Sequence, residues 1–415
     1  RLKIFGGENI PETGPALLVG SHYSFIDWAG LQMASPRPLK MASNRNKSNA
    51  WYQRWLRYSK FLIQIDRRNP EPAMQAIREA LMQGEAVVIF PEGEVSKTPH
   101  ISRFSIDYSS AIKDTESKIL PFYIQGLFGG PYSHAEDSIM FGPASTRIVS
   151  VGFGSLIPAQ SSEENIRIQL RDLAIDTWET AISYYHTIVP MWLRVMRRRK
   201  FKTILIDPKN GRHVSAYKMI RLVLLLSRRL SRITQQEPNL GFLLPSSREG
   251  VLGFLSILSL GKTSVNLNYT SPADVVMGCI KNAKVKTVVT SENFYEKLCQ
   301  KNPNFSELKE KVKFFFIDKE ENDISKVAHF VVSLFTILSP KFLIEFCFSA
   351  TKKLSDTAVI LFSSGSEGVP KGIMLSHKNL IANTQQIDSV VRLKNNDVML
   401  AELPMFHSFG VTGNI

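Results

Sequence analysis

Short apolar runs alternate with longer stretches of helical spacing over the first 185 residues. "ALLVGS", "EAVVIFPEG", "KILPFYIQG" and "RIVSVGFG" are each brief, apolar and closed by Gly or Pro, which predicts buried strands. "PEPAMQAIREALMQG" carries apolar residues at helical spacing and stops at Gly84, which predicts a helix with a glycine cap. Strands alternating with helices predict an α/β sheet whose reactive groups sit at strand ends.

Near residue 185 the pattern changes: "MWLRVMRRRKFK" is densely basic and "IDPKNGRHVS" is rich in turn formers. We therefore expect a first domain over 1–185, a basic linker over 186–215 and a second α/β domain over 216–415. In that second domain "AYKMIRLVLLLSRRLSRI" predicts a helix bearing Arg221, Arg228, Arg229 and Arg232, either solvated or facing anionic lipid. "GKTSVNLNYT" and "AKVKTVVTSENF" are strand-like. An apolar insert, Val327 to Ala350, is broken by Pro340, Lys341 and Glu345. Its charge-free run is shorter than the ~20 residues a membrane span needs, so a buried or interfacial helix is expected.

Length and charge sharpen this picture. A chain of 415 residues exceeds one ordinary core, which fits two domains. A net charge of +14 would attract nucleic acid, an anionic membrane surface or phosphorylated substrates. Nucleic acid is set aside because no recognised binding module accompanies the charge. Cys279, Cys299 and Cys347 are far apart and form no CxxC pair, and the histidines show no HxH or HExxH spacing, so no disulfide framework or metal site is expected. The "GKT" at Gly261 to Thr263 is not a Walker A loop, because Ser256 stands where that loop needs glycine. The chain opens on Arg and stops within "GVTGNI", so a fragment is expected at both ends.

Two clusters carry candidate chemistry. In "LLVGSHYSFIDWAG" an apolar run ends at His22, with Asp27 five residues on. A carboxylate can fix the tautomer of a histidine base and stabilise its imidazolium. The plain alternative is that Asp27 caps a helix and His22 packs in a turn. Downstream, "VIFPEG" sets Glu92 and Gly93 after a strand, "FLIQIDRR" sets Arg67 and Arg68 at another strand end, and Pro121 lies in "LPFYIQG". Paired arginines suit bidentate phosphate contacts. The second cluster, "SSGSEGVPKG" from Ser363 to Gly372, follows the strand "TAVILF". Small residues let backbone N–H groups approach phosphates, and Lys371 adds charge.

In their order and spacing, the motifs of residues 1–185 resemble the blocks of the glycerolipid acyltransferase family. That resemblance implies His22 as the base that deprotonates an acceptor hydroxyl, Asp27 as its partner, and Glu92, Gly93, Arg67 and Arg68 as acceptor-binding groups. Ser21 replaces the frequent Asn, and Glu94, Val95 and Ser96 replace the usual Thr-Arg-Ser, so one phosphate arginine is absent and Arg67, Arg68 or Lys97 would serve. Ser363 to Gly372 resembles the signature of AMP-forming acyl-CoA synthetases, and "LPMFHSFG" (Leu403 to Gly410) resembles their next block. This implies ATP binding by Ser363, Ser364, Gly365, Ser366, Gly368 and Lys371, and places His407 beside an acyl pocket. Glu367 replaces the usual Thr, as in fused acyl-ACP synthetases. The family's ribose-binding aspartate, hinge and C-terminal catalytic lysine would lie beyond Ile415.

The order of the two domains resembles the bacterial bifunctional acyl-ACP synthetase/2-acylglycerophosphoethanolamine acyltransferases. The resemblance implies ATP and Mg²⁺ for a ligase half, and an acyl carrier protein phosphopantetheine thioester (or acyl-CoA) as donor. It also implies acyl transfer to the 1-hydroxyl of a lysophospholipid, with fatty acid and an anionic membrane surface as further partners. The expected location is the bacterial inner membrane, with the catalytic domains on its cytoplasmic face. The alternative is a fatty-acid-activating ligase whose N-terminal domain is an inactive docking module.

Overall fold

The computed structural model describes residues 2–44, 61–66, 68–130, 132–134, 148–183, 185–207, 211–348, 352–363, 370–391 and 396–414. It divides into two compact units, Arg1–Tyr185 with Ile387–Asp397, and His186–Gln386 with Val398–Ile415.

The first unit is a seven-stranded sheet built from β1 (Leu2–Phe5), β2 (Ala16–Gly20), β3 (Leu39–Asn44), β4 (Leu62–Ile65), β5 (Ala86–Ile89), β6 (Lys118–Gln125) and β7 (Val149–Phe153), in the order β1-β7-β6-β2-β5-β3-β4. All pairs are parallel except β6 with β7. Its helices are α1 (Asp27–Ala34), α2 (Glu71–Met82), α3 (Ser109–Ile112) and α4 (Glu163–Ile182). Strand alternation sends side chains to both faces. Leu17, Val19, Val87 and Ile89 share one core with Ile77 and Leu81 of α2 and Ile166 and Leu170 of α4. Leu18, Val88, Leu120 and Phe122 share the other with Leu31 of α1. Both faces being covered explains why β2 and β5 read as unbroken apolar runs. The parallel direction gathers the carboxyl ends of β2, β3, β4 and β5 at one edge.

The second unit begins with α5 (Ile188–Arg199), the hairpin β8 (Thr203–Asp207) and β9 (Arg212–Ser215), and α6 (Ala216–Ile233). The stretch read as a basic linker is thus a helix and a hairpin, and Val189, Trp192 and Leu193 of α5 are buried. A six-stranded sheet follows in the order β13-β12-β10-β11-β14-β15. Its strands are β10 (Asn239–Phe242), β11 (Thr263–Asn266), β12 (Thr287–Thr290), β13 (Lys313–Phe316), β14 (Thr357–Ser363) and β15 (Lys371–Ser376). Only β14 with β15 is antiparallel. Around it lie α7 (Arg248–Ser259), α8 (Ala273–Asn282), α9 (Glu292–Lys301), α10 (Leu308–Lys311), α11 (Ile317–Asn322), α12 (Lys326–Leu338), α13 (Lys341–Phe348), α14 (His377–Val391) and α15 (Ser408–Gly413).

Two expectations need correction here. Helix α6 is a core helix: Met219, Leu222, Val223, Leu226 and Leu230 are buried. Two of its four arginines are engaged by neighbouring helices, Arg221 donating to Ser333 Oγ at 2.9 Å and Arg229 pairing with Glu320 at 2.7 Å, while Arg228 and Arg232 are exposed, as the solvated reading expected. The inner-membrane location also fails. Among the described residues no helix is long and apolar enough to cross a membrane, and the apolar insert forms two short helices, α12 and α13.

Candidate active sites

In the first unit β2 ends at Gly20 and the chain turns through His22 into α1, whose first residue is Asp27. The Asp27 side chain is fully buried. Its Oδ2 accepts from His22 Nδ1 at 2.8 Å, from Tyr23 N at 2.7 Å and from Ser24 N at 2.9 Å. The carboxylate therefore ties the turn ahead of α1 instead of capping the helix, whose N-cap makes no side-chain bond, and it holds the histidine with the same oxygen. An ionised carboxylate only accepts, so Nδ1 must carry the hydrogen and Nε2 keeps its lone pair. The His22 ring stacks on Phe90 at 4.2 Å between centroids and 22° between planes.

Strand β5 lies beside β2 in parallel, with Val19 opposite Ile89, so the loop holding Glu92 starts at the same edge as His22. Ser96 N donates to the His22 carbonyl at 2.6 Å and ties the two loops together. Gly93 sits at φ 82°, the left-handed region that favours glycine, and its N–H donates to Phe90 O at 3.0 Å. Glu92 is buried and its Oε1 has no hydrogen-bond partner among the described residues. Burial pushes its carboxyl above the ordinary range, while the polar groups of Ser21 and Ser102 and the charge of His22 hold it down in part. A buried carboxylate with one unpaired oxygen beside a histidine can accept a donor from a bound molecule.

Of the two arginines only Arg68 is described, and it stands apart from this pair. Arg67 lies outside the described residues, and Arg68 is exposed, its N–H donating to Asp66 Oδ1 at 2.9 Å. It follows β4 at the sheet margin, two strands from β5, or about 10 Å at ordinary strand spacing. Lys97 is exposed directly after the Ser96 tie. Sequence reasoning misses Phe90 and Ser96. Phe90 is legible as the aromatic of "FPEG", but nothing in the sequence signals that the Ser96 amide reaches the His22 carbonyl.

In the second unit β14 and β15 form a hairpin in which Ser363 stands opposite Lys371. Ser364, Gly365, Ser366, Glu367 and Gly368 lie outside the described residues. Strand β11 neighbours β14, with Asn266 opposite Leu361. The buried Asn266 accepts from Ser264 Oγ at 2.6 Å and donates through Nδ2 to Met405 O at 2.5 Å. Ser246 Oγ and Asn414 Nδ2 both donate to Leu403 O. The block from Leu403 to Gly410 is thereby fixed at the carboxyl ends of β10 and β11, where ligands enter such sheets. His407 is exposed at the N-cap of α15, its ring 4.7 Å from that of Phe406. Gly410 is required there: a Cβ would stand 2.0 Å from Pro404 O.

Comparison with known proteins follows this division. The family described as "Acyltransferase" matches residues 1–125, and that described as "AMP-binding enzyme" matches residues 193–415. 4-coumarate–CoA ligase 3 of Arabidopsis thaliana is 28% identical over 173 residues, which cover 41% of this chain and 28% of that protein. Probable 4-coumarate–CoA ligase 2 of Dictyostelium discoideum is 48% identical over 58 residues, 14% of this chain and 10% of that protein. The chain thus spans less than a third of these relatives. Among solved structures, o-succinylbenzoate coenzyme A synthetase of Bacillus subtilis, in complex with ATP and magnesium ion, matches with a TM-score of 0.41 at 15% identity, covering 54% of this chain and 41% of that one. The family match spans more than half of the chain: it belongs to the AMP-binding enzymes, and it carries an acyltransferase domain ahead of that region.

Proposed function

We propose that the chain joins two steps of lipid chemistry: activation of a fatty acid at the expense of ATP, and transfer of the acyl group to a lysophospholipid. The proposed acyltransferase domain is 1–185, and the ligase part follows from 186, with α5 and the β8–β9 hairpin included in it.

The observation that carries the transferase reading is the His22–Asp27 pair at the end of β2, tied to the Glu92 loop at the end of β5. In the proposed reaction His22 Nε2 takes the proton of the acceptor 1-hydroxyl as its oxygen attacks the thioester carbonyl. Asp27 stabilises the imidazolium. The C–O bond forms, the C–S bond breaks, and the proton passes from Nε2 to the departing thiolate. Phe90 holds the ring in the orientation that keeps Nε2 turned outward. Glu92 and Gly93 position the acceptor, and Lys97, with Arg67 and Arg68, supplies cations for its phosphate. The donor is the phosphopantetheine thioester of acyl carrier protein, or acyl-CoA.

For the ligase part, Ser363 and Lys371 stand opposite each other at the paired ends of β14 and β15, and the Gly- and Ser-rich sequence between them, closed by a lysine, suits a nucleoside triphosphate. ATP with Mg²⁺ would supply the activating phosphoanhydride there, and His407 lies on the block proposed to border the acyl pocket. The test is thiol release on mixing the protein with acyl-ACP or acyl-CoA and 2-acylglycerophosphoethanolamine, without ATP. Hydroxyl-dependent release supports the reading, and release that does not depend on the lysophospholipid counts against it.

A further inference from the structure

Between α5 and α13 the second unit holds a cavity of about 290 Å³, lined by Leu193, Arg194, Arg197, Arg198, Ile344 and Glu345. Its charges do not balance. Arg194 Nε donates to Glu345 Oε1 at 2.9 Å, and the lining described sets three arginines against this one carboxylate. Arg197 Nη2 donates to Ser339 O at 3.0 Å, but Nη1 is buried with no acceptor among the described residues. A buried charged donor left unpaired is destabilising, and a guanidinium fork matches phosphate geometry.

Beside this cavity, α12 and α13 turn an apolar face to solvent. Val327, Phe330, Leu334 and Leu338 recur at helical spacing along α12, and Phe342 and Phe346 continue the face on α13 with 72% and 81% of their surface exposed. So many exposed large apolar side chains on two consecutive helices mark a candidate site of interaction. The 13 residues of α12 extend about 20 Å, short of the ~30 Å of a bilayer's hydrocarbon, so the helix can lie in an interface but not cross it.

We propose that this surface binds an anionic phospholipid: the cavity takes the head-group phosphate through Arg197 and Arg198, and the acyl chains lie along α12 and α13. Charge decides among occupants. A second copy of the chain would bring one arginine cluster toward another, and free phosphate would leave the apolar face uncovered. An anionic amphiphile satisfies both. This surface is distinct from the basic face of α6, whose Arg221 and Arg229 are already engaged, and it does not depend on the reaction assigned to His22.

The test is flotation with vesicles of phosphatidylcholine, with and without phosphatidylglycerol, across a salt series. The native chain is expected to bind the mixed vesicles far more strongly, and to lose that preference at high salt. Arg197→Gln with Arg198→Gln should weaken it about thirty-fold, from about fivefold per basic group. Arg198→Gln alone, at an exposed position, should give about fivefold and guards against misfolding of the double variant. Phe342→Ser with Phe346→Ser should abolish binding to either vesicle. Absence of binding by the native chain, or binding indifferent to both sets of changes, overturns the proposal. So does a thermal shift with inorganic phosphate that survives the Phe changes, which would make the cavity a free-anion site. A lipid-free dimer that the Phe changes dissociate would assign the face to a second copy and equally overturn it.

Discussion

Replacing Asp27 with Asn changes one oxygen for an amide nitrogen at a position with no solvent contact. If the nitrogen takes the place of Oδ2, it opposes the three N–H groups of His22, Tyr23 and Ser24. If it takes the place of Oδ1, it is a buried donor without an acceptor, because Oδ1 has none. The second arrangement costs less: about 1–3 kcal/mol for the unpaired donor, with about 1 kcal/mol of charge assistance lost from each of three bonds. Stability of the first unit should therefore fall by about 4–6 kcal/mol. The effect on reaction is separable. A full ion pair at about 4 Å and an effective dielectric near 20 gives about 4 kcal/mol, and a proton partly transferred in the transition state feels about half or more of it. A loss of about 2–4 kcal/mol lowers kcat about 30- to 1,000-fold, with KM for the lysophospholipid little changed. Thiol release gives both constants, and urea titration with circular dichroism shows whether the variant is folded. A folded Asp27→Asn protein with kcat within about threefold of the native value would refute the partnership.

Three further changes probe the second unit. His377 is buried, and burial, the largest cause, lowers its pKa to about 4 from an ordinary 6.5. The folded state then binds fewer protons than the unfolded one between these values, so stability is present above pH 6.5 and is lost as pH falls toward 4. The total is about 3 kcal/mol, with about 2 kcal/mol gone near pH 5. Urea midpoints of the native chain and His377→Gln should differ in their pH dependence by that amount; parallel curves would place the acid sensitivity elsewhere. Gly410→Ala drives a Cβ to within 2.0 Å of Pro404 O and should open the turn from 403 to 410, at a cost of about 2 kcal/mol or more. Gly413→Ala, with nothing within 4 Å, should be neutral or slightly stabilising in thermal melts.

Much of the fold is legible in the residues because the physics is local. An apolar run ended by a charged or glycine-rich turn marks a strand and its exit, so β2, β5, β6 and β7, and with them His22 and Glu92, follow from the order of residues alone. The helix before Gly84 is legible for the same reason. Partners across the sheet are not. Nothing in the sequence states that Arg68 exits a marginal strand while Glu92 exits the one beside β2, because strand order is a global property. Charge misleads twice. The basic density of α5 suggests a linker, although Trp192 and Leu193 anchor it in a core. The arginines of α6 suggest lipid contact, although helical spacing shows which face is polar and not what that face meets. The apolar insert is visibly too short to span, but its exposure on α12 and α13 emerges only with the fold.

The role given to His22 stands or falls on acyl transfer by His22→Ala protein, assayed with acyl-ACP or acyl-CoA and 2-acylglycerophosphoethanolamine without ATP. A positioned base contributes about 10²–10⁴-fold. The variant should fold as the native chain does, since its ring is lost from a partly open loop rather than from either core, and its kcat should fall by that factor. Near-native turnover by a folded His22→Ala protein would contradict the assignment and remove the transferase reading with it.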